Sequence, residues 1–228
     1  MPLFISGSNG ISGADGTAAL PAVQGSDGNT GVFFPAADQV AIATGGTQRV
    51  LVDASGIVTG TAGNLMLVSG TAVASTSGTS IDFTGIPSWA RRVTFMLNSV
   101  STNGASPLVI RLGTSGGFET TGYDSSGGFM INTTSSAVGV LTTGFVLEGT
   151  DAVYTAAATV RNGSVVFTNV SGNIWVAGGS IGRSGIAVAA TGSCGGSKTL
   201  AGVLDRIRLT TSGGTDTFDA GSVNIMYE

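Results

Sequence analysis

The apolar residues of this 228-residue chain come in short runs that Gly, Ser, Thr and Asn interrupt. Such runs, spaced roughly 8 to 12 residues apart, are typical of strands in an all-β sandwich or barrel and are too short for amphipathic helices. Within several runs apolar and polar residues alternate, as at Ile81 and Phe83 or at Val93, Phe95 and Leu97. Alternation places one face of a strand on a core and the other in solvent. The sequence therefore predicts an all-β fold.

The C-terminal three quarters of the chain contain about a dozen predicted strands, enough for two packed sheets and a jelly-roll-like β-sandwich. In one of them, alternation places Val203, Asp205, Ile207 and Leu209 on one face, against Leu204, Arg206 and Arg208 on the other. The predicted strands are 65–69, 79–83, 92–98, 107–112, 128–133, 137–148, 152–161, 164–169, 173–177, 185–190, 203–210 and 222–227.

Two hairpins are predicted from their turn residues. Asn162-Gly163 is typical of a two-residue turn, here between strands 155–161 and 164–168. Gly45-Gly46 predicts a second hairpin that joins residues 39–44 to residues 47–53.

The first 63 residues are richer in Gly, Ala and small polar groups than the rest of the chain. Their glycines recur about every three residues but without the strict register of collagen. A segment with so little side-chain volume cannot bury enough apolar surface alone, so we expect several copies to bury it together around a symmetry axis. The chain is therefore predicted to have a strand-rich N-terminal attachment or stalk segment, 1–63, and a C-terminal sandwich, 64–228.

The residue counts exclude several classes of function. Without any His the chain has no Ser-His-Asp triad, Cys-His dyad or His-ligated zinc. The single cysteine, Cys194, excludes internal disulfides and cysteine-rich metal sites. A net charge of -4 argues against nucleic acid or an anionic membrane as partner. No apolar run approaches the roughly 20 residues of a membrane span, and residues 1–7 lack the features of a secretory signal, so no membrane insertion is expected.

The serine and carboxylate motifs are not predicted to be catalytic or metal-binding. Ser115 and Ser180 lie in Gly-x-Ser-x-Gly stretches, but a nucleophile elbow needs a His to take the serine proton. Asp15 and Asp27 precede Gly as in calcium loops, yet each lacks the several carboxylates that Ca²⁺ requires, so both are predicted to form turns. No catalytic, cofactor-binding or metal-binding residue is assigned, and no cofactor is expected.

Two carboxylate pairs are close in sequence, Glu119 with Asp124 and Glu148 with Asp151. A glycosidase needs two carboxylates about 5 to 9.5 Å apart. Both pairs fall in predicted loops or strand ends, where solvated charges are expected. The chain is therefore predicted not to be an enzyme.

Arg91 and Arg92 follow Trp89 and precede a predicted strand. A basic and aromatic patch of this kind could bind a phosphate or a sugar. The more common arrangement, which we expect here, is a strand-entry corner with Trp89 partly buried and the arginines solvated or ion-paired. Trp175 lies in a predicted strand and is expected in the core or in a subunit interface.

Two parts of the chain resemble bacteriophage fibre proteins. Residues 28–56 contain Thr44-Gly-Gly-Thr-Gln-Arg49 and Val52-Asp-Ala-Ser-Gly56, which resemble a strand-pair element that recurs along trimeric fibre stalks. Residues 82–98, 108–113, 117–123 and 216–228 are similar to the C-terminal domain of phage and prophage tail-fibre proteins.

The resemblance implies a homotrimeric virion protein, assembled in the bacterial host cytoplasm. The expected function is a short tail fibre whose distal knob contacts a host cell-surface glycan or protein, while the N-terminal segment binds other virion proteins of the baseplate, tail or capsid. A trimeric capsid decoration or head-fibre protein and a non-enzymatic adhesin remain alternatives. The receptor-binding residues are unknown; the Gly-rich stretches 115–128 and 178–185 are the predicted loops in which to look for them.

Overall fold

The computed structural model describes residues 4–6, 10–12, 15–54, 56–59, 67–131, 135–149, 157, 159–185 and 190–228. Every helix or strand element in these ranges is a β-strand, which confirms the all-β fold class. Accordingly, the described part contains no helix long and apolar enough to cross a membrane. The chain forms two compact units, unit 1 (Met1–Met66) and unit 2 (Leu67–Glu228). The boundary predicted near Asn64 lies outside the described residues and stays a prediction.

Unit 1 consists, in its described residues, of a small hairpin and one five-stranded antiparallel sheet. The hairpin pairs β1 (Phe4–Ser6) with β2 (Gly10–Ser12). The sheet follows chain order: β3 (Val23–Gln24), β4 (Gly31–Phe33), β5 (Val40–Thr44), β6 (Thr47–Asp53) and β7 (Gly56–Thr59).

The hairpin predicted around Gly45-Gly46 is confirmed as β5–β6. The two glycines have φ values of 59° and 72°. A two-residue type I′ turn requires positive φ at both central residues, which glycine adopts without steric cost.

Unit 2 is made of two antiparallel sheets. Its strands are β8 (Val68–Ser69), β9 (Val73–Ala74), β10 (Ser80–Thr84), β11 (Arg92–Thr102), β12 (Leu108–Thr114), β13 (Gly117–Phe118), β14 (Tyr123–Ile131), β15 (Ser135–Leu141), β16 (Phe145–Val146), β17 (Val160–Ser171), β18 (Ile174–Ser184), β19 (Ala190–Thr199), β20 (Arg206–Thr211) and β21 (Phe218–Tyr227). In the described residues the larger sheet has the order β15-β14-β19-β18-β17-β11-β21-β8, with β9 also on β21. The smaller has the order β10-β20-β12-β13, with β16 also on β12.

Aromatic side chains join the two sheets into a sandwich. Phe83 of the smaller sheet meets Phe95 of the larger edge to face, with ring centroids 5.7 Å apart. Phe145 in β16 contacts both Tyr123 and Phe167 of the larger sheet, at 5.1 and 5.3 Å. Aromatic pairs at these separations add to the free energy of area burial, so the core lies between the sheets.

The predicted alternation is confirmed in the strands but fails just before β20. Ile207 and Leu209 are fully buried, as predicted. Val203, predicted to share their side, is 57% exposed, and Leu204 is buried instead. These two residues precede the strand, so the two-residue period does not apply to them.

Trp175 lies in the core, which is one of the two places predicted for it.

The hairpin predicted at Asn162-Gly163 is wrong, because both residues lie inside the continuous strand β17. They face a β-bulge in β11, where Ser99 has a φ of 55° and its N–H donates to Asn162 Oδ1 at 2.7 Å. The turn that ends β17 comes ten residues later, at Gly172, which has a φ of 50°.

Strand β19 was missed because its sequence, ATGSCGGSKT, carries no large aliphatic or aromatic side chain. It pairs with β14 on one side and β18 on the other over nearly its whole length. Backbone hydrogen bonds to two neighbours hold this strand, so hydrophobic periodicity could not reveal it. The predicted strand 152–161 lies mostly outside the described residues.

Candidate functional site

The five-stranded sheet of unit 1 exposes aliphatic side chains on one face. Along β5, Ala41 and Ala43 are fully buried, whereas Val40 and Ile42 are 42% and 44% exposed. Val52 of β6 lies directly beside Val40 and is 41% exposed. The strand therefore turns its larger aliphatic side chains away from the unit's own core.

Cross-strand pairing continues this pattern across all five strands. Val32 lies beside Ile42, and Val23 beside Val32, while Ile57 lies beside Val52 on the other side. Partners in antiparallel register point to the same side of a sheet. The resulting aliphatic face comprises Val23, Val32, Val40, Ile42, Val50, Val52 and Ile57.

The opposite side of the same sheet has a small core. Its buried apolar residues are Phe33, Ala41 and Ala43, with Ala18 and Leu51 packed against them. Two of the three buried side chains are single methyl groups, so this core buries little apolar area. A sheet of this size needs further burial to be stable, and the aliphatic face is where it can be obtained.

In unit 2 the two Gly-rich stretches predicted to be receptor-binding loops are largely strands, which corrects that prediction. All of 123–128 belongs to β14, and 178–184 belongs to β18. Both flank β19, and the structure brings parts of them together at a groove of about 590 Å³. Ser126, Ser180 and Ser193 are among its lining residues, none of which carries a charge.

Glu148 is not a solvated loop charge, as was predicted, but a completely buried one. Arg161 binds it in bidentate fashion through one edge of its guanidinium, with Nη2 at 2.7 Å from Oε1 and Nε at 2.8 Å from Oε2. The Leu108 N–H also donates to Glu148, and Arg161 Nη1 donates to the Thr159 carbonyl at 3.0 Å. Since Leu108 begins β12 and Arg161 lies in β17, this ion pair connects the two sheets. Its predicted neighbour, Asp151, lies outside the described residues.

Glu119 is also ion-paired rather than free. Its carboxylate lies 2.6 Å from the ammonium of Lys198 and accepts the Ala201 N–H at 2.8 Å. Burial acts to raise the pKa of Glu119, but these two partners outweigh it and lower the pKa below its ordinary value. Asp124, the predicted partner, is exposed. The sequence missed both ion pairs because no local pattern links their members, which are 13 and 79 residues apart along the chain.

The corner predicted at Trp89, Arg91 and Arg92 is confirmed. The partly buried Trp89 ring lies 5.6 Å from the ring of Tyr227. Arg92 forms an exposed ion pair with Glu228 at 3.0 Å, and Arg91 is exposed.

The turn predicted at Asp27 is confirmed as well. The Thr30 N–H donates to the Asp27 carbonyl at 3.3 Å, and the Asn29 N–H donates to its carboxylate at 3.4 Å. Within the described ranges, no cluster of three or more Cys, Asp or Glu could hold a metal ion.

We expect Cys194 to resist thiol reagents in the native protein. Burial raises the pKa of its thiol to about 11. At pH 8 the reactive thiolate is then only about one thousandth of the thiol. Absorbance with Ellman's reagent should show no stoichiometric reaction within minutes, and full reaction after guanidinium unfolding. Rapid modification of the folded chain would contradict this placement.

Searches against protein-family models, curated proteins and solved structures found no match for this chain. The resemblance to phage fibre proteins therefore stays a prediction from the sequence. The geometry of the two units supplies the remaining arguments for function.

Proposed function

We propose that the chain is a subunit of a homotrimeric bacteriophage virion fibre. In this proposal unit 1 joins the three copies and attaches them to the particle, and unit 2 is a distal knob that contacts the host surface. The aliphatic face of unit 1 is the observation that carries the proposal.

The size of the aliphatic face supports its burial by another protein surface. Five strands about 4.8 Å apart, with a mean length of about four residues at about 3.4 Å per residue, span about 340 Å². The largest contiguous apolar patch on a typical monomer is about 300–600 Å² and is often functional. A covered face would also supply the burial that the small core of unit 1 lacks.

The chemistry of the face supports further copies of this chain as its cover. Its seven members are Val and Ile, so identical faces can pack together with no like charges opposed. Three such sheets can turn their aliphatic faces toward a shared threefold axis. That arrangement agrees with the fibre-stalk element that residues 28–56 resemble.

The jelly-roll description of unit 2 is part of the same proposal. In a jelly roll the first strands pair with the last ones. Here β10 pairs with β20 and β11 with β21, both antiparallel, across more than one hundred residues of intervening chain. These pairings support a rolled-up hairpin arrangement.

We also propose that the protein is not an enzyme. The two Glu residues considered as hydrolytic groups are both engaged in ion pairs: Glu148 is buried against Arg161, and Glu119 is held by Lys198. A carboxylate neutralised in this way is poorly placed to act as a general acid or nucleophile.

The abundance of the chain in purified virions tests the proposal. A fibre should be present at a small fraction of the copy number of the major capsid protein, and the purified full-length chain should compete with virions for host cells. Quantitative mass spectrometry and an adsorption assay measure these two quantities. A copy number close to that of the capsid protein, without competition, would favour the capsid decoration alternative; absence from virions would overturn both.

A further inference from the structure

One end of the unit 2 sandwich carries a groove formed by loops. Two adjoining depressions of about 240 and 420 Å³ share Ser88, Val203 and Leu204. Residues 86–88, 90–91, 114–115, 172–173, 175 and 201–205 line them. The larger depression lies in the size range of small-ligand sites. We name them together the loop-end groove.

The loops around the groove are tied to the sandwich. The Ile86 N–H donates to the Asp205 carbonyl at 2.9 Å, and the Leu200 N–H donates to the Asn173 carbonyl at 3.0 Å. The Arg91 N–H donates to the Glu228 carbonyl at 2.7 Å. These bonds hold the groove in a defined shape, which reduces the entropy lost when a ligand binds.

The lining of the groove combines apolar and neutral polar groups. Pro87 and Val203 supply apolar surface, with Val203 on the ridge between the depressions, whereas Trp175 and Leu204 border the depressions but are each only 3% exposed. Hydroxyl and amide groups lie around it, from Ser88, Thr114, Ser115 and Asn173. Sugars present both hydroxyl groups and apolar C–H faces, so this mixture fits an oligosaccharide.

The two ends of the loop-end groove carry opposite charges. At one end Asp205 is engaged by Arg206 at 2.8 Å. At the other lies Arg91, whose side chain forms no ion pair with any residue of the described part of the chain. Its neighbour Arg92 is paired with Glu228. Arg91 is therefore the cation available to a ligand, and a guanidinium binds a carboxylate with two parallel hydrogen bonds.

We propose that the loop-end groove binds a short acidic oligosaccharide, with a sugar carboxylate on Arg91. Sugar hydroxyls would bond to Ser88 and Asn173, and a C–H face would lie on Val203. This inference rests on the proposed function, because it names the ligand class that unit 2 would recognise. It replaces the two predicted Gly-rich loops as the recognition surface.

Tryptophan fluorescence can measure this binding, because both tryptophans of the chain lie at this end of unit 2. Trp175 borders the groove and Trp89 belongs to the loop beside it. The full-length chain would be titrated with trigalacturonic acid and with α2,8-linked trisialic acid, and each methyl ester would serve as the neutral control. A saturable fluorescence change with at least one acid, at least tenfold weaker with its ester, is expected.

Two substitutions at exposed positions locate the site. Arg91→Gln should weaken binding at least tenfold, and Val203→Asp should abolish it. Arg92→Gln is the matched control, and it should bind like the wild type. Absence of saturable binding to both acids, or equal weakening by Arg91→Gln and Arg92→Gln, would overturn the inference.

The mass of the chain in solution separates this inference from the proposed function. If a trimer fails to bind either acid, the groove proposal falls and the fibre proposal stands. If a monomer binds with the expected dependence on Arg91, the groove proposal stands and the trimeric fibre falls.

Discussion

Replacing Glu148 with Gln should destabilise unit 2 by about 3–5 kcal/mol, the cost of leaving a buried charge without its partner. Arg161 would keep its positive charge between the two sheets, where it is fully buried and has no access to water. Domains of this kind have about 5–15 kcal/mol of total stability, so the change removes a large part of it. Guanidinium unfolding followed by circular dichroism measures the difference.

Glu228→Gln is the matched control, because it makes the same substitution in an exposed ion pair. The side chains of Arg92 and Glu228 are 52% and 45% exposed. Exposed pairs contribute about 0–1 kcal/mol, so this variant should unfold close to the wild type. A loss below about 1 kcal/mol for Glu148→Gln would contradict the role assigned to the buried pair.

The double variant Glu148→Leu/Arg161→Met distinguishes the cost of leaving Arg161 unpaired from the net contribution of the ion pair to the stability of unit 2. Replacing both members of a buried pair with apolar residues is often nearly neutral. The double variant should therefore be more stable than Glu148→Gln. If the double variant were less stable than Glu148→Gln, the hydrogen bonds to Leu108 and Thr159 would be the main contribution of this ion pair to the stability of unit 2.

Ile42→Asp should convert the proposed trimer to monomers at micromolar concentration. The wild-type chain should sediment at three times its 22.4 kDa mass. Ile42 lies within the aliphatic face, between Val32 and Val50, and is 44% exposed, so a single copy can accept the carboxylate in solvent. Three copies would bring three unpaired carboxylates into one apolar interface. The dissociation constant should rise by at least about 100-fold, as analytical ultracentrifugation can measure.

Gln24→Glu is the control for the trimer experiment. It adds the same charge to the same sheet, but on the side of Ala43 rather than on that of Ile42. Its exposed side chain should leave the sedimenting mass unchanged. A wild-type chain that sediments as a monomer, or an Ile42→Asp variant that remains a trimer, would contradict the proposed use of this face.

Local patterns determined the all-β class and much of the strand placement. The alternation at Val93, Phe95 and Leu97 correctly marked a core-facing strand, because burial on one face imposes a two-residue period. The Gly45-Gly46 pair correctly marked a hairpin, because its backbone requirement is met within the turn itself.

Asn162-Gly163 also has the sequence of a two-residue hairpin turn, but it forms part of strand β17. It lies opposite a β-bulge at Ser99, more than sixty residues earlier in the chain, and the Asn162 side chain accepts a hydrogen bond from the Ser99 N–H. Strand β19 likewise exists because β14 and β18 provide hydrogen-bonding partners on both sides, and nothing in its own side chains indicates a strand.

Whether each charged residue is solvated, buried or ion-paired was decided only by the tertiary structure. Sequence alone predicted the same solvated state for Glu119 and Glu148, because the environment of a charge depends on which segments fold against it. The sheets enclose Glu148 with Arg161, and Lys198 is brought to Glu119 from 79 residues away. Of the two adjacent arginines, one is paired with Glu228 and the other borders a groove. Composition and periodicity set the class of fold, whereas contacts between distant strands and loops set the electrostatics of its sites.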